Sequence, residues 1–281
     1  MKILEAQHSL ADLCAAFGVS RSGYHAWKSR PPSARQRADE TLSQSLCQVH
    51  TASRQTYGSP RLLAALRQQG HRTSRRRVRR LMRQHELRAT VPRRFVPQTT
   101  DSRHDQPIAP NRLAQAPAPT RPNQVWVGDI TYVRTGEGWL YVAAVLDRWS
   151  RRVVGLAMAE HMESSLVEAA LAQALRLRRP VVGCVHHTDR GSQYASGTYR
   201  EQVGAAGLLA SMSRAGNCYD NAAMESFWSR LKTELVQRRE FTSRAEARLA
   251  IFEYVEVFYN RVRLHSALGY KSPVDFEQQL N

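Results

Sequence analysis

The feature that most constrains the fold is a set of three strand-like segments placed close together near the middle of the chain. Residues 125–133, 139–147 and 152–159 are rich in Val, Tyr, Trp and Leu, and Thr135–Gly138 forms a turn between the first two. The pattern then predicts, in order, helix 163–177, strand 181–187, helix 198–206, strand 208–212 and a helix beginning near Ala222. This βββαβαβα order predicts an α/β domain.

Three acidic residues stand at positions where α/β domains commonly carry functional side chains. Asp129 interrupts an otherwise apolar strand, where a buried and unpaired carboxylate would be costly. Asp189 directly follows the strand 181–187, at the carboxyl end where open α/β sheets commonly bind ligands. Glu225 lies one turn into the last helix of the core, and Lys232 follows it on the same face, seven residues on. Taken alone, Glu225 and Lys232 are better explained as a solvated helix edge.

Together, the three carboxylates predict magnesium-dependent chemistry. Carboxylate oxygens are hard ligands, which Mg²⁺ prefers, and Mg²⁺ keeps part of its water shell for substrate phosphate. Two such ions, about 3.5–4 Å apart, can activate an attacking oxygen and stabilise a leaving oxygen at phosphorus. This chemistry requires no nucleophile from the protein.

The charge distribution indicates a polyanionic partner. The net charge is +17, and residues 1–98 hold 19 Lys and Arg against 5 Asp and Glu. Because most of the excess charge lies in the first third of the chain, we expect a dedicated nucleic-acid-binding region there. A membrane surface is a weaker alternative, since the basic residues do not lie opposite an apolar helix face.

The first 32 residues contain a helix-turn-helix pattern. Apolar residues recur at helical spacing from Leu10 to Phe17, Gly18 supplies a turn, and Ser20 can cap a second short helix. An ordinary helical hairpin would have the same pattern, so both interpretations stay open.

A strongly basic helix closes the region that follows. Residues 39–89 predict two or three helices, with turns at Gly58–Pro60 and Gly70. The last helix carries six arginines, namely Arg75, Arg76, Arg77, Arg79, Arg80 and Arg83. Such a run is often only a solvated face, but arginines without interleaved acids repel one another unless phosphates neutralise them. We therefore expect DNA contact.

Composition also predicts the domain boundaries. Residues 97–122 are rich in proline and polar residues, which is typical of an extended linker. We expect five parts, which are a helix-turn-helix-like unit (1–32), a basic helical DNA-binding unit (33–96), the linker (97–122), the catalytic core (123–240) and a C-terminal helical extension (241–281).

Cysteine usage and hydropathy exclude other classes of protein. The four cysteines include no CxxC pair, which disfavours a zinc or redox motif, and we interpret them as reduced thiols of a cytoplasmic protein. The longest apolar stretches are strand-length, far below the roughly 20 residues needed to span a bilayer.

Three smaller interpretations concern polar residues near the predicted strands. Asp220 and Asn221 are best explained as caps of the last core helix. A local ion pair with the following arginines accounts for Asp147. His186 and His187 could position a phosphate, or they could be hydrogen-bonded structure, and the sequence favours neither.

Several strings carry a family resemblance. His187–Tyr194, Asn217–Phe227 and Trp126–Asp129 resemble the DDE transposases of the IS-three family of bacterial insertion sequences. Between Asp189 and Glu225 lie 35 residues, as in the D,D(35)E signature that this family shares with retroviral integrases.

The resemblance extends over nearly the whole chain. Tyr57–Arg61 and the basic helix after it look like the helical region that precedes the core in that family. Tyr259–Asn260, His265–Tyr270 and Ser272–Pro273 look like its C-terminal end.

The resemblance implies an RNase H-like core, a mixed five-stranded sheet flanked by helices, that brings Asp129, Asp189 and Glu225 around two Mg²⁺ ions, with Mn²⁺ able to substitute. It implies strand cleavage and strand transfer at terminal inverted repeats and a target in double-stranded DNA. Lys232, Arg190 and Arg61 join the basic helix as expected DNA contacts. A copy-out, paste-in route is implied by the resemblance alone.

Two other functions stay open, and so does the completeness of the chain. A DNA-binding regulator without turnover and a nuclease that cuts without joining would both have this general pattern. Relatives are commonly fused by frameshifting to a product of an upstream reading frame, so a partner segment of that kind is expected. Pairing of two DNA ends implies a homo-oligomer, most simply a dimer, at the bacterial nucleoid.

Overall fold

The computed structural model describes residues 1–91, 105–114, 116–213 and 221–280. The N-terminal part is helical, with helices α1 (Leu10–Ala16), α2 (Arg21–Ser29), α3 (Ala34–Ala52), α4 (Ser59–Gln68) and α5 (Arg75–Gln84). The sheet strands are β1 (Val125–Thr135), β2 (Gly138–Asp147), β3 (Val153–Ala159), β4 (Val185–Thr188) and β5 (Leu209–Met212). The remaining α-helices are α6 (Ser164–Arg178), α7 (Ser192–Ala195), α8 (Gly197–Ala205), α9 (Ala222–Glu234), α10 (Arg244–Glu253) and α11 (Pro273–Glu277).

Helices α1 and α2 form a hairpin with a tight turn. The side chains of Ser9 and Ser20 cap the two helices by accepting from backbone N–H groups three residues further on. Gly18 adopts a φ of 62°, a left-handed conformation that ends a helix at little cost only for glycine.

Helices α3, α4 and α5 form a second helical unit. A capping box between Ser33 and Gln36 starts α3, and Ser74 caps α5. Val78, Leu81 and Met82 form the buried side of α5, as their spacing predicts.

The sheet confirms the predicted fold class. Its order is β3-β2-β1-β4-β5, with antiparallel pairing from β3 to β1 and parallel pairing from β1 through β4 to β5. A meander therefore supplies one half of the sheet and two crossover units supply the other, which is the mixed five-stranded arrangement expected.

One strand is shorter than its apolar run suggests. The sequence predicts a strand from Val181, but β4 begins at Val185. Val181 is 68% exposed and Val182 is 85% exposed. The chain turns at Gly183, whose φ is 94°, so the first valines precede the sheet instead of joining it.

Helices cover both faces of the sheet. On one face, α6 packs tightly over β3 because Gly155 has no side chain, since a Cβ there would lie 2.2 Å from the Ala170 carbonyl oxygen. The opposite face carries α9 and the C-terminal helices, and its apolar core is continuous with that of α3 to α5.

The C-terminal segment is tied to the rest by buried polar contacts. Helix α10 continues as a π-helix over Tyr254–Tyr259, within the predicted C-terminal helical extension. Asn260 bonds both backbone groups of Val153 at the start of β3. Glu234 at the end of α9 accepts two hydrogen bonds from Arg263, at 2.6 and 2.8 Å.

In the described part of the chain, no helix combines the length and apolarity needed to cross a bilayer.

Candidate active site

Two of the predicted carboxylates lie side by side because of the strand register. Strands β1 and β4 are parallel neighbours, and Val127 pairs with His187. Asp129 and Asp189 each come two residues after that pair, so side-chain alternation directs both to the same face. Parallel neighbours lie about 4.8 Å apart, which places the two carboxylates next to each other where β4 ends.

Asp129 is held by two hydrogen bonds. One carboxylate oxygen accepts from the Ile130 N–H at 2.8 Å, and the other accepts from the indole Nε1 of Trp228 at 3.1 Å. Burial, together with the negative charges of Asp189 and Glu225, raises the pKa of Asp129 to about 7. The carboxylates of Asp189 and Glu225 therefore lie close enough to Asp129 to repel its charge.

Glu225 comes to the site on α9, which lies across the β1 face. Trp228 stands one turn after Glu225 on the same side of the helix. Its hydrogen bond to Asp129 therefore shows that this side of α9 faces strand β1. Lys232 stands one turn further along, with its ammonium 5.4 Å from the centre of the Tyr132 ring. Burial lowers the pKa of Lys232, and the nearby charge of Asp129 opposes that shift.

Asp189 also shapes the loop that follows it. One of its carboxylate oxygens accepts from the Gly191 N–H at 2.9 Å. The next residue, Arg190, donates from Nε to the Ser213 carbonyl oxygen at 2.7 Å, so part of this guanidinium bonds the protein itself.

The donor set fits a divalent cation, although it is not a complete cage. Among the described residues, no group of three or more His, Cys, Asp and Glu side chains could by itself hold a metal ion. The three carboxylates nevertheless supply only hard oxygen atoms, as Mg²⁺ prefers. A bound cation would offset the repulsion that raises the pKa of Asp129.

The six arginines of α5 divide into two groups. Arg77 and Arg80 bind Asp39 of α3 at 2.7 and 2.6 Å, and thus hold the helical unit together. Arg75 donates to the Ser59 hydroxyl at 3.3 Å. The other three are exposed and spaced along one side of the helix, namely Arg76, Arg79 and Arg83.

Arg61 lies away from this exposed row. Its Nε donates to the Leu264 carbonyl oxygen at 2.9 Å, and burial together with the charge of Arg263 lowers its pKa. It faces the C-terminal segment, next to a cavity described below.

Both predicted histidines are hydrogen-bonded inside the protein. His186 pairs with the Tyr199 hydroxyl, and His187 pairs through Nδ1 with the Ser211 hydroxyl at 2.9 Å. Both side chains are buried, so the interpretation as hydrogen-bonded structure is the one that the structure supports.

Two of the smaller interpretations are wrong where the structure can be compared with them. Asn221 precedes α9 but makes no side-chain cap, and its amide instead donates to the Gly128 carbonyl at 3.5 Å. Asp147 accepts from the backbone N–H groups of Asn123, Trp149 and Ser150, so it orders a loop instead of forming a local ion pair. Asp220 lies outside the described residues.

Sequence reasoning missed the role of Trp228. Its spacing with Met224 and Leu231 predicts an apolar stripe, and all three side chains are buried. The indole N–H is the one polar atom of that stripe, and a buried tryptophan usually finds a partner for it. That rule could have indicated a contact with the acidic strand opposite.

Comparisons with known proteins match this arrangement. A family profile described as an integrase core domain matches residues 119–218, and a second profile with the same description matches residues 206–273. An HTH-like domain profile matches residues 36–95, which contain most of α3 and all of α4 and α5.

Full-length relatives decide the family. The chain is 48% identical over 267 residues to an "Insertion element IS600 uncharacterized 31 kDa protein" of Shigella sonnei, covering 95% of this chain and 98% of the relative. It is 41% identical over 277 residues to the "Transposase InsF for insertion sequence IS3A" of Escherichia coli (strain K12), covering 98% and 96%. The chain belongs to the IS-three family of transposases.

Solved structures similar to this IS-three family chain include viral integrases. The catalytic core domain of HTLV-2 integrase in complex with magnesium has a TM-score of 0.43 at 16% identity, covering 56% of this chain and 98% of that one. A simian T-cell lymphotropic virus intasome chain has a TM-score of 0.48 at 16% identity, covering 83% and 74%.

Proposed function

We propose that this chain is a DNA transposase that cleaves DNA at the terminal inverted repeats of an insertion sequence and joins the freed end to a second strand. Asp129, Asp189 and Glu225 are its catalytic carboxylates and would hold two Mg²⁺ ions, with Mn²⁺ as a substitute. The observation that carries the proposal is the placement of Asp129 and Asp189 on neighbouring parallel strands under Glu225 of α9.

The reaction needs no covalent intermediate on the protein. In the first step, the oxygen of water joins phosphorus at the end of the element, and the 3′ oxygen leaves as a hydroxyl. In the second step, that hydroxyl forms a new bond to phosphorus in another strand, whose own 3′ oxygen leaves. When bound, the metal ions would supply Lewis-acid stabilisation of charge on the attacking and leaving oxygens.

The protein's own residues do the positioning. Trp228 and the Ile130 N–H hold the Asp129 carboxylate in one orientation, and the Gly191 N–H does the same for Asp189. Lys232 places a positive charge beside Asp129, on the side of α9 that carries Glu225. A phosphate approaching Glu225 would meet that ammonium.

DNA recognition is assigned to the helical unit and the loop near Asp189. The exposed row of Arg76, Arg79 and Arg83 is suited to duplex phosphates, as is the exposed Arg75. Arg190 and Lys232 are suited to the strand at the active site. We further propose that two copies pair the DNA ends at the bacterial nucleoid. A first assay with the chain alone tests whether an upstream-frame segment is also needed.

The test is strand cleavage and joining on labelled linear DNA that carries the element's ends. Wild type, Asp189→Asn and Glu225→Gln are compared with Mg²⁺, Mn²⁺ or EDTA, and Glu201→Gln serves as the control because Glu201 is an exposed carboxylate on α8. We expect joining with either metal by wild type and the control, and a loss of at least about a thousandfold in the two site variants, with DNA binding retained.

Other outcomes favour other functions. DNA binding without any cleavage by wild type would favour a regulator or a dependence on a partner segment. Cleavage without joining, in the presence of a 3′-hydroxyl acceptor, would favour a nuclease. Full activity of Asp189→Asn or Glu225→Gln would exclude the proposed site.

A further inference from the structure

A second positively charged site lies behind the catalytic helix. A cavity of about 260 Å³ opens between the start of α9, the loop after β2 and the C-terminal segment. Apart from Tyr259, its titratable lining is basic and consists of Arg61, Arg148, Arg151, Arg230, Arg263 and His265. Ala222, Ala223 and Ser226 complete the wall from the first turns of α9, next to Glu225.

Only one of the five arginines has a carboxylate partner within the described chain. Arg263 is paired with Glu234, and both side chains are buried. The ion pairs found among the described residues include none with Arg61, Arg148, Arg151 or Arg230. Four guanidinium groups thus surround one cavity without an ion pair to a described carboxylate, although the charges of Glu234 and Asp147 act on Arg61 and Arg151 from further away.

Crowding of these cations disfavours their charged forms. Burial lowers the pKa of Arg151 and the charge of Arg148 adds to that shift, while Tyr259 and Asp147 oppose it. Burial lowers the pKa of His265 to about 2, with contributions from Arg263, Arg61 and Arg151. His265 is therefore neutral at physiological pH, and its imidazole can donate only one hydrogen bond.

One charged donor in the wall lacks a partner among the described residues. This atom is Nη1 of Arg148, and it is buried. A buried donor without an acceptor costs roughly 1–3 kcal/mol, and more when it is charged, so such atoms usually indicate a missing ligand or water.

The start of α9 adds a further positive contribution. Asn221 provides no side-chain cap, so the first N–H groups of this 13-residue helix receive no side-chain acceptor from it. Free N–H groups and the helix dipole favour an anion at that end.

We propose that this cavity binds one phosphate group of the DNA strand that enters the active site. The ligand must be a compact anion with several acceptor oxygens, because several guanidinium groups and a helix start converge on one small space. A phosphodiester has that chemistry, and a bound phosphate would fix the DNA strand relative to α9 and Glu225. The inference rests on the proposed function only in taking DNA as the source of the phosphate.

The test measures duplex DNA binding in EDTA, so that catalysis does not enter. Arg148→Gln and Arg230→Gln are compared with Arg176→Gln, which removes the same charge from an exposed position on α6 across the sheet. We expect roughly tenfold weaker binding by each cavity variant and a salt-dependence slope smaller by about 0.9, the value for one lost phosphate contact. Arg176→Gln should resemble wild type.

A second pair of variants keeps every arginine in place. Ala267 lines the cavity and is exposed, so Ala267→Glu would put a carboxylate among the arginines while Ala267→Gln would not. We expect Ala267→Glu to raise the thermal midpoint, by relieving repulsion, and to weaken DNA binding about tenfold. Ala267→Gln should retain most of the binding.

Inorganic phosphate distinguishes the sources of the anion. We expect phosphate, at constant ionic strength, to raise the thermal midpoint of wild type but not that of Ala267→Glu. The proposal would be overturned if three variants bound DNA with wild-type affinity and salt slope, namely Arg148→Gln, Arg230→Gln and Ala267→Glu. If these variants bound DNA normally but inorganic phosphate stabilised the wild type and not Ala267→Glu, the cavity would be a site for free phosphate and not for DNA. If the wild type failed to join strands while the cavity variants weakened DNA binding as expected, only the proposed function would be contradicted.

Discussion

Single residues around Asp129 act on its carboxylate through hydrogen bonds and through charge repulsion. Its carboxylate receives the Trp228 indole N–H, while the charges of Asp189 and Glu225 raise its pKa. Groups that orient a ligand to a metal typically change affinity or activity by about 10–100-fold when they are removed. Under the proposed function, Trp228 is a positioning residue that acts through Asp129 and does not need to touch DNA.

Trp228→Phe should reduce strand joining by about 10–100-fold and raise the Mg²⁺ concentration needed for half-maximal rate, because Asp129 loses an oriented partner. The rate is measured across a Mg²⁺ titration. Trp27→Phe is the matched control, since Trp27 is exposed on α2. An unchanged Mg²⁺ dependence in Trp228→Phe would contradict this role.

His186 makes stability depend on pH. Burial lowers its pKa from 6.5 to about 3, with a smaller contribution from His187. The folded protein thus keeps His186 neutral while the unfolded chain takes up a proton below pH 6.5. Stability from this group is complete above pH 6.5 and is lost as the pH falls toward 3, at up to about 1.4 kcal/mol per pH unit.

Denaturant unfolding of wild type and His186→Gln between pH 7 and pH 4 measures this effect. The variant should show a shallower loss of stability with falling pH, whatever its stability at pH 7. His8→Gln, at an exposed position, should keep the wild-type slope. Equal slopes for wild type and His186→Gln would show that His186 does not contribute.

At the scale of elements, α5 serves two purposes with one run of arginines. Arg77 and Arg80 bind Asp39 and lower the pKa of that carboxyl, so they belong to the packing of α3 against α5. Arg76, Arg79 and Arg83 face solvent and are the part of the helix suited to phosphates.

The two groups should separate in experiment. Replacing Arg76, Arg79 and Arg83 with Gln should weaken DNA binding at every duplex sequence and reduce the salt slope by about 2–3, with little change in the thermal midpoint. Replacing Arg77 and Arg80 with Gln should lower the thermal midpoint, because Asp39 loses both partners. Fluorescence anisotropy measures DNA binding, and thermal unfolding measures stability. The division would be refuted if the Arg77 and Arg80 variant lost DNA binding and the Arg76, Arg79 and Arg83 variant lost stability.

At the scale of the whole molecule, the C-terminal segment completes the core. Its side chains share one apolar cluster with α3 to α5 and with one face of the sheet. Arg263 also neutralises Glu234, whose carboxylate is buried at the end of α9 and accepts a further bond from Tyr254. Breaking one buried pair of this kind typically costs about 3–5 kcal/mol.

A chain that ends at residue 240 should therefore fail to unfold cooperatively, because it loses part of the core and leaves Glu234 unpaired. Removing residues 1–30 is the control, since the main cluster contains no residue from α1 or α2. That shorter chain should keep a cooperative transition. Thermal unfolding followed by circular dichroism distinguishes the two, and a stable 1–240 chain would contradict the expectation.

Local patterns in the sequence were enough to predict most of the secondary structure and the fold class of this protein. Strand-like segments and helix caps predicted the element order, and the positions of Asp129 within one strand and Asp189 directly after another marked both as candidates for the site. These signals are local because they depend on neighbours within a few residues. The spacing from Asp189 to Glu225 entered through family resemblance, not through physics.

Only the tertiary structure decided which side chains face one another. The register of β1 on β4, the bond from Trp228 to Asp129 and the split of the α5 arginines each join residues far apart in sequence. The same holds for the cavity that gathers Arg61, Arg148 and Arg230. An apolar run cannot reveal where a strand begins, and a basic run cannot reveal which charges are paired, because both depend on what packs against them.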